Sequence, residues 1–343
     1  MKLNKLNLEN FRNYSRKFKF SPQLNLIIGQ NTAGKTNLLE SIFLLAYGES
    51  FRATRNEEMV SWGETLALIE GTVNEEFLKI AIKSEDGEVS KQFWVEGVDK
   101  KKSQFIKHFS AVIFRPEDIR MIQGSPGRRR DFLDDVWSSW SWEYQQPLIT
   151  YNKAITRRNK VLRRIQEGKA NKEELYFWSQ TLEKNGEIIR QKREGFLDFA
   201  NNYWKEKRSE FSHLEVRYLS SPVTVDLLEE SYQKDLNMGM TTIGPQRDDF
   251  VVKSTEFGDD PKNVATWGSR GQQRLATLAL KLAQLAFIED QQGKKPALLL
   301  DDIFSELDQG NQELVVSLLP RYQTFLTTTE DIVVPFEAEV ISL

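Results

Sequence analysis

The sequence contains no cysteine and only two histidines, His108 and His213, far apart in the chain. The first absence removes disulfides, thiol nucleophiles, iron–sulfur clusters and Cys-based zinc sites. The second leaves little for a His-rich metal centre or a Ser-His-Asp hydrolase. No apolar run approaches the roughly 18 residues that a membrane span needs. The opening Met1-Lys2-Leu3-Asn4-Lys5-Leu6-Asn7 alternates polar and apolar residues, the pattern of a strand and not of a signal peptide. Internal repeats, low-complexity tracts and heptads long enough for an extended coiled coil are also missing. A cytoplasmic protein is expected. Its 343 residues suffice for one large α/β domain or two lobes.

Net charge is −3, so the whole chain is no polycation, but charge is uneven along it. Residues 1–55 carry 9 basic against 3 acidic side chains, and residues 151–194 carry 12 against 6. Residues 284–343 carry 3 basic against 11 acidic. A basic face and an acidic end can coexist on one fold, which permits nucleic-acid binding without establishing it. A solvated helix face accounts for the middle run equally well.

Strand and helix signals alternate. Leu24–Ile28 reads as a short apolar strand, followed by a Gly-containing loop and a buried helix from Asn37 to Tyr47 that Gly48 should end. Phe77–Lys83 and Val89–Val95 read as a hairpin around Glu85-Asp86-Gly87-Glu88, and Ala111–Phe114 as a strand. From about Gly127 to Ser212 the helical period dominates, with Pro147 its only proline. Strands return near Phe250–Lys253. A helix is expected from Gly271 to Gln291, then strands at Ala297–Leu300 and Gln323–Thr327.

Three motifs carry the chemistry. Gly29-Gln30-Asn31-Thr32-Ala33-Gly34-Lys35-Thr36 fits G-x-x-x-x-G-K-[ST], placed after a strand and opening a helix. Such a loop converges backbone N–H groups on phosphate oxygens, and the helix N-terminus adds partial positive charge. Lys35 should reach the β and γ phosphates, and the Thr36 hydroxyl should ligate Mg²⁺. Ala297–Leu300 ends in Asp301 and Asp302; in a P-loop enzyme the first holds Mg²⁺ and the second polarises the attacking water. A nuclease-type metal site of Asp301, Asp302 and Asp308 is the competing reading. Gly268-Ser269-Arg270-Gly271-Gln272-Gln273-Arg274 opens the helix about 30 residues before the acidic strand, a second possible anion cradle. P-loop, signature helix and acidic strand in this order mark ABC-type ATPases, in which the signature of one head meets the γ-phosphate held by the other. One copy of each per chain implies a homodimer.

Beyond these motifs the sequence resembles the RecF family, a DNA-repair branch of the SMC/Rad50-like ABC ATPases, nearly end to end. The resemblance rests on Leu8–Tyr14, Lys35–Glu40, Ser50-Phe51-Arg52, Gly124–Asp134 (GSPGRRRDFLD), Gly244–Asp249 (GPQRDD), Leu299–Asp308 and Thr327-Thr328-Thr329. Thr32 and Gln246 depart from the usual Gly and His. Asp302 replaces the Glu of most ABC enzymes, and the threonines replace their switch His, features that suit a slow timed switch.

The resemblance implies an α/β fold: an ABC-type P-loop ATPase head, with mixed sheets around a P-loop helix, and a mainly helical second lobe. Residues 1–125 would form the N-terminal part of the head, 126–240 the helical lobe, and 241–343 the C-terminal part of the head. It further implies ATP and Mg²⁺ as cofactors. Gly29 to Asn37 would cradle the nucleotide, with Lys35, Asp301 and Asp302 catalytic and Thr36 and Asp301 on the metal. Ser269, Gly271 and Gln272 would act in trans, Glu306 and Asp308 at the dimer seam, and Arg12 and Asn13 at the α-phosphate or base. Family members act at single-strand gaps with RecR and RecO and help load RecA; DNA would be held through phosphates, without base-specific contacts. Candidate DNA contacts are Arg128, Arg129, Arg130, Arg157, Arg158, Arg163 and Arg164; the first three could equally brace the lobe. The resemblance also implies a nucleoid-associated location. An ATP-gated nuclease subunit, a transporter ATPase, and ATP acting as dimerisation glue with incidental turnover are the alternatives.

Overall fold

The computed structural model describes residues 1–85, 88–258, 260–329 and 337–343, with Ser305 and Glu306 described by their backbone alone. It divides into two compact units, Met1–Asp118 with Gln284–Leu343, and Ile119–Ala283. Its borders fall at 118/119 and 283/284, whereas the sequence reading set them at 125/126 and 240/241. Residues 241–283 cluster with the helical unit because their strand pairs there and Trp204 donates to the Ala279 carbonyl at 3.1 Å.

The first unit holds β1 (Leu3–Phe11), β2 (Tyr14–Lys19), β3 (Leu24–Ile28), helix α1 (Lys35–Tyr47), β4 (Leu66–Val73), β5 (Glu76–Glu85), β6 (Glu88–Val95), β7 (Val98–Lys100) and β8 (Ala111–Phe114). An antiparallel sheet runs β2-β1-β4-β5-β6-β7. Its strands alternate buried and less buried residues, as in Leu66–Val73, because one face packs inward. Strands β3 and β8 join a second sheet with three strands from the end of the chain.

The second unit is built on α2 (Pro126–Ser138), α3 (Trp142–Gln166) and α4 (Tyr176–Lys207), with β9 (Leu214–Leu219), β10 (Asp249–Ser254) and β11 (Lys262–Asn263) in a three-stranded antiparallel sheet. Helix α5 (Arg270–Gln292) follows. The first unit then resumes with β12 (Ala297–Asp301), helix α6 (Gln309–Val316), β13 (Thr324–Thr328) and β14 (Ala338–Ser342). Its second sheet is parallel, in the order β14-β3-β13-β12-β8. The strands Ala111–Phe114 and Ala297–Asp301 are buried at every position, which is why Ala111–Phe114 and Ala297–Leu300 read as unbroken apolar runs.

Helix α1 explains the first unit's core. Leu38, Leu39, Ile42, Leu44 and Leu45 are fully buried, and every residue from Leu38 to Tyr47 is buried, so this part of the helix is covered on all sides. They share one cluster with Leu6, Ile69 and Ile80 of the antiparallel sheet and with Leu299 and Phe325 of the parallel one. Gly48 ends the helix at φ 67°, as its place in the sequence predicts.

In the second unit the two RecF-like motifs dock on each other. Arg129 makes a bidentate pair with Asp249, at 2.5 and 2.9 Å, and donates to the Gly124 carbonyl. Arg130 donates to the Asp248 carbonyl at 2.8 Å. Between them Arg193 of α4, its side chain 3% exposed, bonds Asp134 at 2.8 Å and Asp248 at 3.0 Å. Asp248 also takes the Tyr218 hydroxyl and the Ser221 N–H. Arg129 and Arg130 thus brace the unit, the second of the two roles open to them.

Candidate nucleotide-binding site

The site sits where β3 turns into α1, beside the C-terminal ends of β12 and β13. A cavity of about 230 Å³ opens there. Gln30, Asn31, Thr32, Gly34, Lys35, Thr36 and Asn37 line one side, Asp301 and Asp302 another, and Arg52 completes it. Parallel strands place their binding crevice at this end because the backbone there leaves the sheet.

Loop shape is set by two unusual residues. Gly34 stands at φ 102° and begins the helix; a Cβ on it would lie 2.8 Å from both the Asn13 amide nitrogen and the Tyr14 hydroxyl. Glycine is therefore required there twice over. Thr32 stands at φ 76°, an outlying conformation for a β-branched residue. Thr32→Gly is expected to raise the stability of the nucleotide-free protein by roughly 1 kcal/mol, relief of strain exceeding glycine's added chain entropy. A lower thermal midpoint in the variant would contradict this account of the loop.

The Lys35 ammonium is folded under the loop, donating to the carbonyls of Gly29 at 2.6 Å and Gln30 at 3.2 Å. The Thr36 hydroxyl lies 3.1 Å from each carboxylate oxygen of Asp301. Thr327 of β13 donates to Asp301 at 3.0 Å and accepts the backbone N–H of Asp302 at 2.9 Å. One threonine thus aligns both acids. A hydroxyl and a carboxylate so close form the start of a hard-oxygen set that suits Mg²⁺. Among the described residues no group of three or more His, Cys, Asp or Glu is gathered, so Asp301, Asp302 and Asp308 do not form the nuclease-type cluster.

Burial pushes the Asp301 carboxyl above the usual range; hydrogen bonds from Thr327 and Thr36 oppose this, and the charges of Glu117 and Asp302 add to it. A carboxyl whose pKa is raised on folding binds its proton more tightly in the native state. Ionised Asp301 therefore subtracts from stability at neutral pH, and the loss disappears as pH falls through the raised pKa. Asp301→Asn is expected to melt higher than wild type at pH 7, with the gap closing on acidification. An unchanged or lower midpoint at pH 7 would refute that.

A carboxylate that sequence reasoning missed organises the rear of the site. Glu40 of α1 is fully buried. It holds Arg12 by two bonds, at 2.7 and 2.9 Å, Arg52 at 3.3 Å, and the Ser50 hydroxyl at 2.5 Å. Arg52 also donates to Asn37, and Asn37 to Asn13, both within 2.7 Å. Arg12 and Asn13 therefore stand behind the cavity wall, Arg12 closed onto Glu40. An acidic residue amid Leu38, Leu39 and Ile42 was the available signal for Glu40.

In the second unit Ser269 and Gln272 cap the start of α5 reciprocally: the Ser269 N–H donates to the Gln272 side chain, and the Gln272 N–H to the Ser269 hydroxyl. Ser269 and Gly271 are exposed. Asp308 caps α6 through the Asn311 N–H at 2.9 Å; the Glu306 side chain lies outside the described residues. Arg128, Arg157, Arg163 and Arg164 are exposed. Arg158 corrects an expectation. It is 1% exposed and paired with Asp235 at 2.6 Å, because it shares the inward stripe of α3 with Tyr151, Ala154 and Leu162.

A parallel sheet carrying a P-loop and an acidic strand end, joined to an antiparallel sheet and interrupted by a helical unit, defines an ABC-type ATPase head of the SMC class. The fold of an Smc head bound to the C-winged helix domain of ScpA agrees, with TM-score 0.55 and 17% identity over 96% of this chain and 90% of that one. The family model described as RecF/RecN/SMC N terminal domain matches residues 2–341. The chain belongs to the RecF family. It is 35% identical to the DNA replication and repair protein RecF of Clostridium novyi (strain NT), over 96% of this chain and 93% of that protein. The RecF of Bacillus cereus (strain B4264) is 33% identical, over 96% and 92%. A solved structure of the recombination mediator protein RecF-ATP in the RecFOR pathway superimposes with TM-score 0.86 and 32% identity, over 98% of this chain and 93% of that one.

Proposed function

We propose that this chain binds ATP with Mg²⁺, closes on it as a homodimer, and in that state holds DNA at single-strand gaps in replication and repair. The observation that carries the reading is the Thr36 hydroxyl 3.1 Å from both Asp301 oxygens, inside a cavity walled by the P-loop. Backbone N–H groups of Gly29 to Thr36 and the Lys35 ammonium bind the phosphates; Thr36 and Asp301 hold the metal, whose charge neutralises the phosphate oxygens. Asp302 orients water for slow hydrolysis, which ends the closed state. Ser269 and Gly271 are exposed and Gln272 is partly so, as a contact to a second copy's nucleotide requires.

DNA contact is supported by the outer face of α3, where Lys153, Arg157, Lys160 and Arg164 recur at four-, three- and four-residue spacing and are all exposed. Lysines and arginines in such a row engage phosphates without reading sequence. A similar solved RecF, described as a recombination mediator in the RecFOR pathway, supports RecR and RecO as partners; RecA loading is the outcome we propose with them. Among the described residues no helix is long and apolar enough to cross a membrane.

The test is solution mass by light scattering without nucleotide, with MgATP and with MgADP. Doubling with MgATP alone is expected, followed by gapped-duplex binding that weakens steeply with salt. Unchanged mass in a sample with confirmed ATP binding would overturn the trans role of Ser269.

A further inference from the structure

The antiparallel sheet of the first unit covers the core with one face and leaves the other open. Leu6, Leu8, Ile69, Ile80 and Phe93 belong to the core. The residues between them form the open face, and strand register aligns these in rows. One row runs Lys19, Lys5, Thr72, Phe77, and the next Lys17, Asn7, Glu70, Lys79, Trp94. None of these residues is buried.

Charge on this face is unbalanced. Glu70 is the carboxylate within the rows, and it is already engaged. Lys79 pairs with it at 3.0 Å, Asn7 donates to it at 2.9 Å, and Lys17 adds its field. Glu9 and Asp99 lie at the borders, Glu9 opposite Leu68 and Asp99 opposite Trp94. Lys5 and Lys19 make no ion pair among the described residues. They stand directly opposite each other, where Cβ atoms are about 4.5–5.5 Å apart and like charges destabilise the pair. Lysines on an edge strand deter pairing with other sheets, which accounts for Lys17 and Lys19 of β2. It does not account for Lys5, because β1 is paired on both sides. An anion laid across β1 and β2 removes the repulsion.

The aromatic residues decide which anion. Phe77 is 37% exposed and ends the row that holds Lys5 and Lys19; Trp94 stands in the row that holds Lys17. Rings beside cations suit a chain that carries both phosphates and flat bases. An acidic peptide has the charge without the bases. A duplex keeps its base faces stacked inside, whereas a single strand offers them.

We propose that this open sheet face is a second nucleic-acid surface, separate from the basic row of α3, and that it takes single-stranded DNA. Lys5, Lys17 and Lys19 hold backbone phosphates, and Phe77 and Trp94 stack unpaired bases. The assignment rests on the reading that the chain holds DNA at gaps, and gives the unpaired strand its own place.

The test uses the full chain, with and without MgATP, and two labelled probes, an oligo-dT and a blunt duplex of equal length. Affinity is read by anisotropy across a salt series. For oligo-dT, the triple variant Lys5→Gln, Lys17→Gln, Lys19→Gln is expected to lower the slope of log affinity against log salt by about 2, three phosphates at roughly 0.7 each. Phe77→Ala is expected to weaken oligo-dT at least about fivefold and leave that slope unchanged, because stacking releases no counterions. Duplex affinity should hold within about twofold in both variants, since neither phosphates nor bases of a duplex are placed on this face. Thermal midpoints check the fold, and Lys5→Gln should melt no lower than wild type, one of two facing charges being gone. An unchanged slope in the folded triple variant, unchanged oligo-dT affinity in Phe77→Ala, or an equal loss for the duplex would each overturn the proposal. So would polyglutamate that displaces oligo-dT as well as unlabelled oligo-dT does, which would make the face a site for acidic protein. Duplex binding without oligo-dT binding overturns this proposal alone; binding of neither probe overturns it together with the DNA reading beneath it.

Discussion

Arg193→Met is expected to destabilise the helical unit by about 3–5 kcal/mol, while Arg190→Met, one turn earlier on the same helix, costs less than about 1 kcal/mol. Both arginines make two ion pairs. Those of Arg190, to Glu187 and Glu194, lie on the surface, with carboxylates 47% and 46% exposed. Water and salt replace them at little cost. Arg193 is buried with Asp248, which is fully buried, and with Asp134. Burial already pushes the Asp248 carboxyl above its usual range, against the pull of Tyr218, Ser221 and Arg193. Removing the arginine strands that carboxylate, takes a donor from the Pro245 carbonyl, and breaks the buried bridge from Asp134 to Asp248, one of the links between the two motifs that build the unit. Six of the eight tryptophans lie in this unit, so tryptophan fluorescence during urea unfolding reports it selectively. Equal losses in the two variants would refute the network's role.

Much of the head was legible in the sequence for physical reasons. Ala111–Phe114 and Ala297–Leu300 are apolar throughout because parallel strands are covered on both faces. The P-loop, the acidic strand end and the signature turn are local patterns, and the structure keeps each at its expected element. The cavity brings together Gln30 to Asn37 with Asp301 and Asp302, which lie 264 positions apart or more, because β13 bridges β3 and β12.

What stayed hidden depends on pairing across the chain. Strand β2 reads Tyr-Ser-Arg-Lys-Phe-Lys, and its register is fixed by β1. Arg158 looks like any other member of a basic run until Asp235, 77 residues on, is placed beside it. Glu40 is recognisable as a hub only once Arg12 and Arg52 converge on it. The hairpin turn predicted at Asp86-Gly87 and the Glu306 side chain lie outside the described residues.

Lys35→Ala and Asp302→Asn should push the ATP response in opposite directions. The Lys35 ammonium is held by the Gly29 and Gln30 carbonyls of the loop. On the proposed roles, alanine would remove the charge that offsets the β and γ phosphates, so MgATP is expected no longer to increase solution mass. On the same roles, Asp302→Asn would leave phosphate and metal binding in place and remove the carboxylate assigned to orienting water. Loss of such a group slows a chemical step by about 10²–10⁴-fold, so dimers formed on MgATP should outlast wild-type dimers by a similar factor. Asparagine is the clean substitution here. Asp302 sits at φ 50°, a left-handed conformation that Asn adopts readily, and its backbone N–H still reaches the Thr327 hydroxyl. The same threonine holds Asp301, so the metal side of the site is undisturbed. Dimer lifetime is read by light scattering after ATP is removed by a trap enzyme. Equal lifetimes in wild type and Asp302→Asn would remove Asp302 from the timing step and leave ATP as a dimerisation ligand whose turnover is incidental.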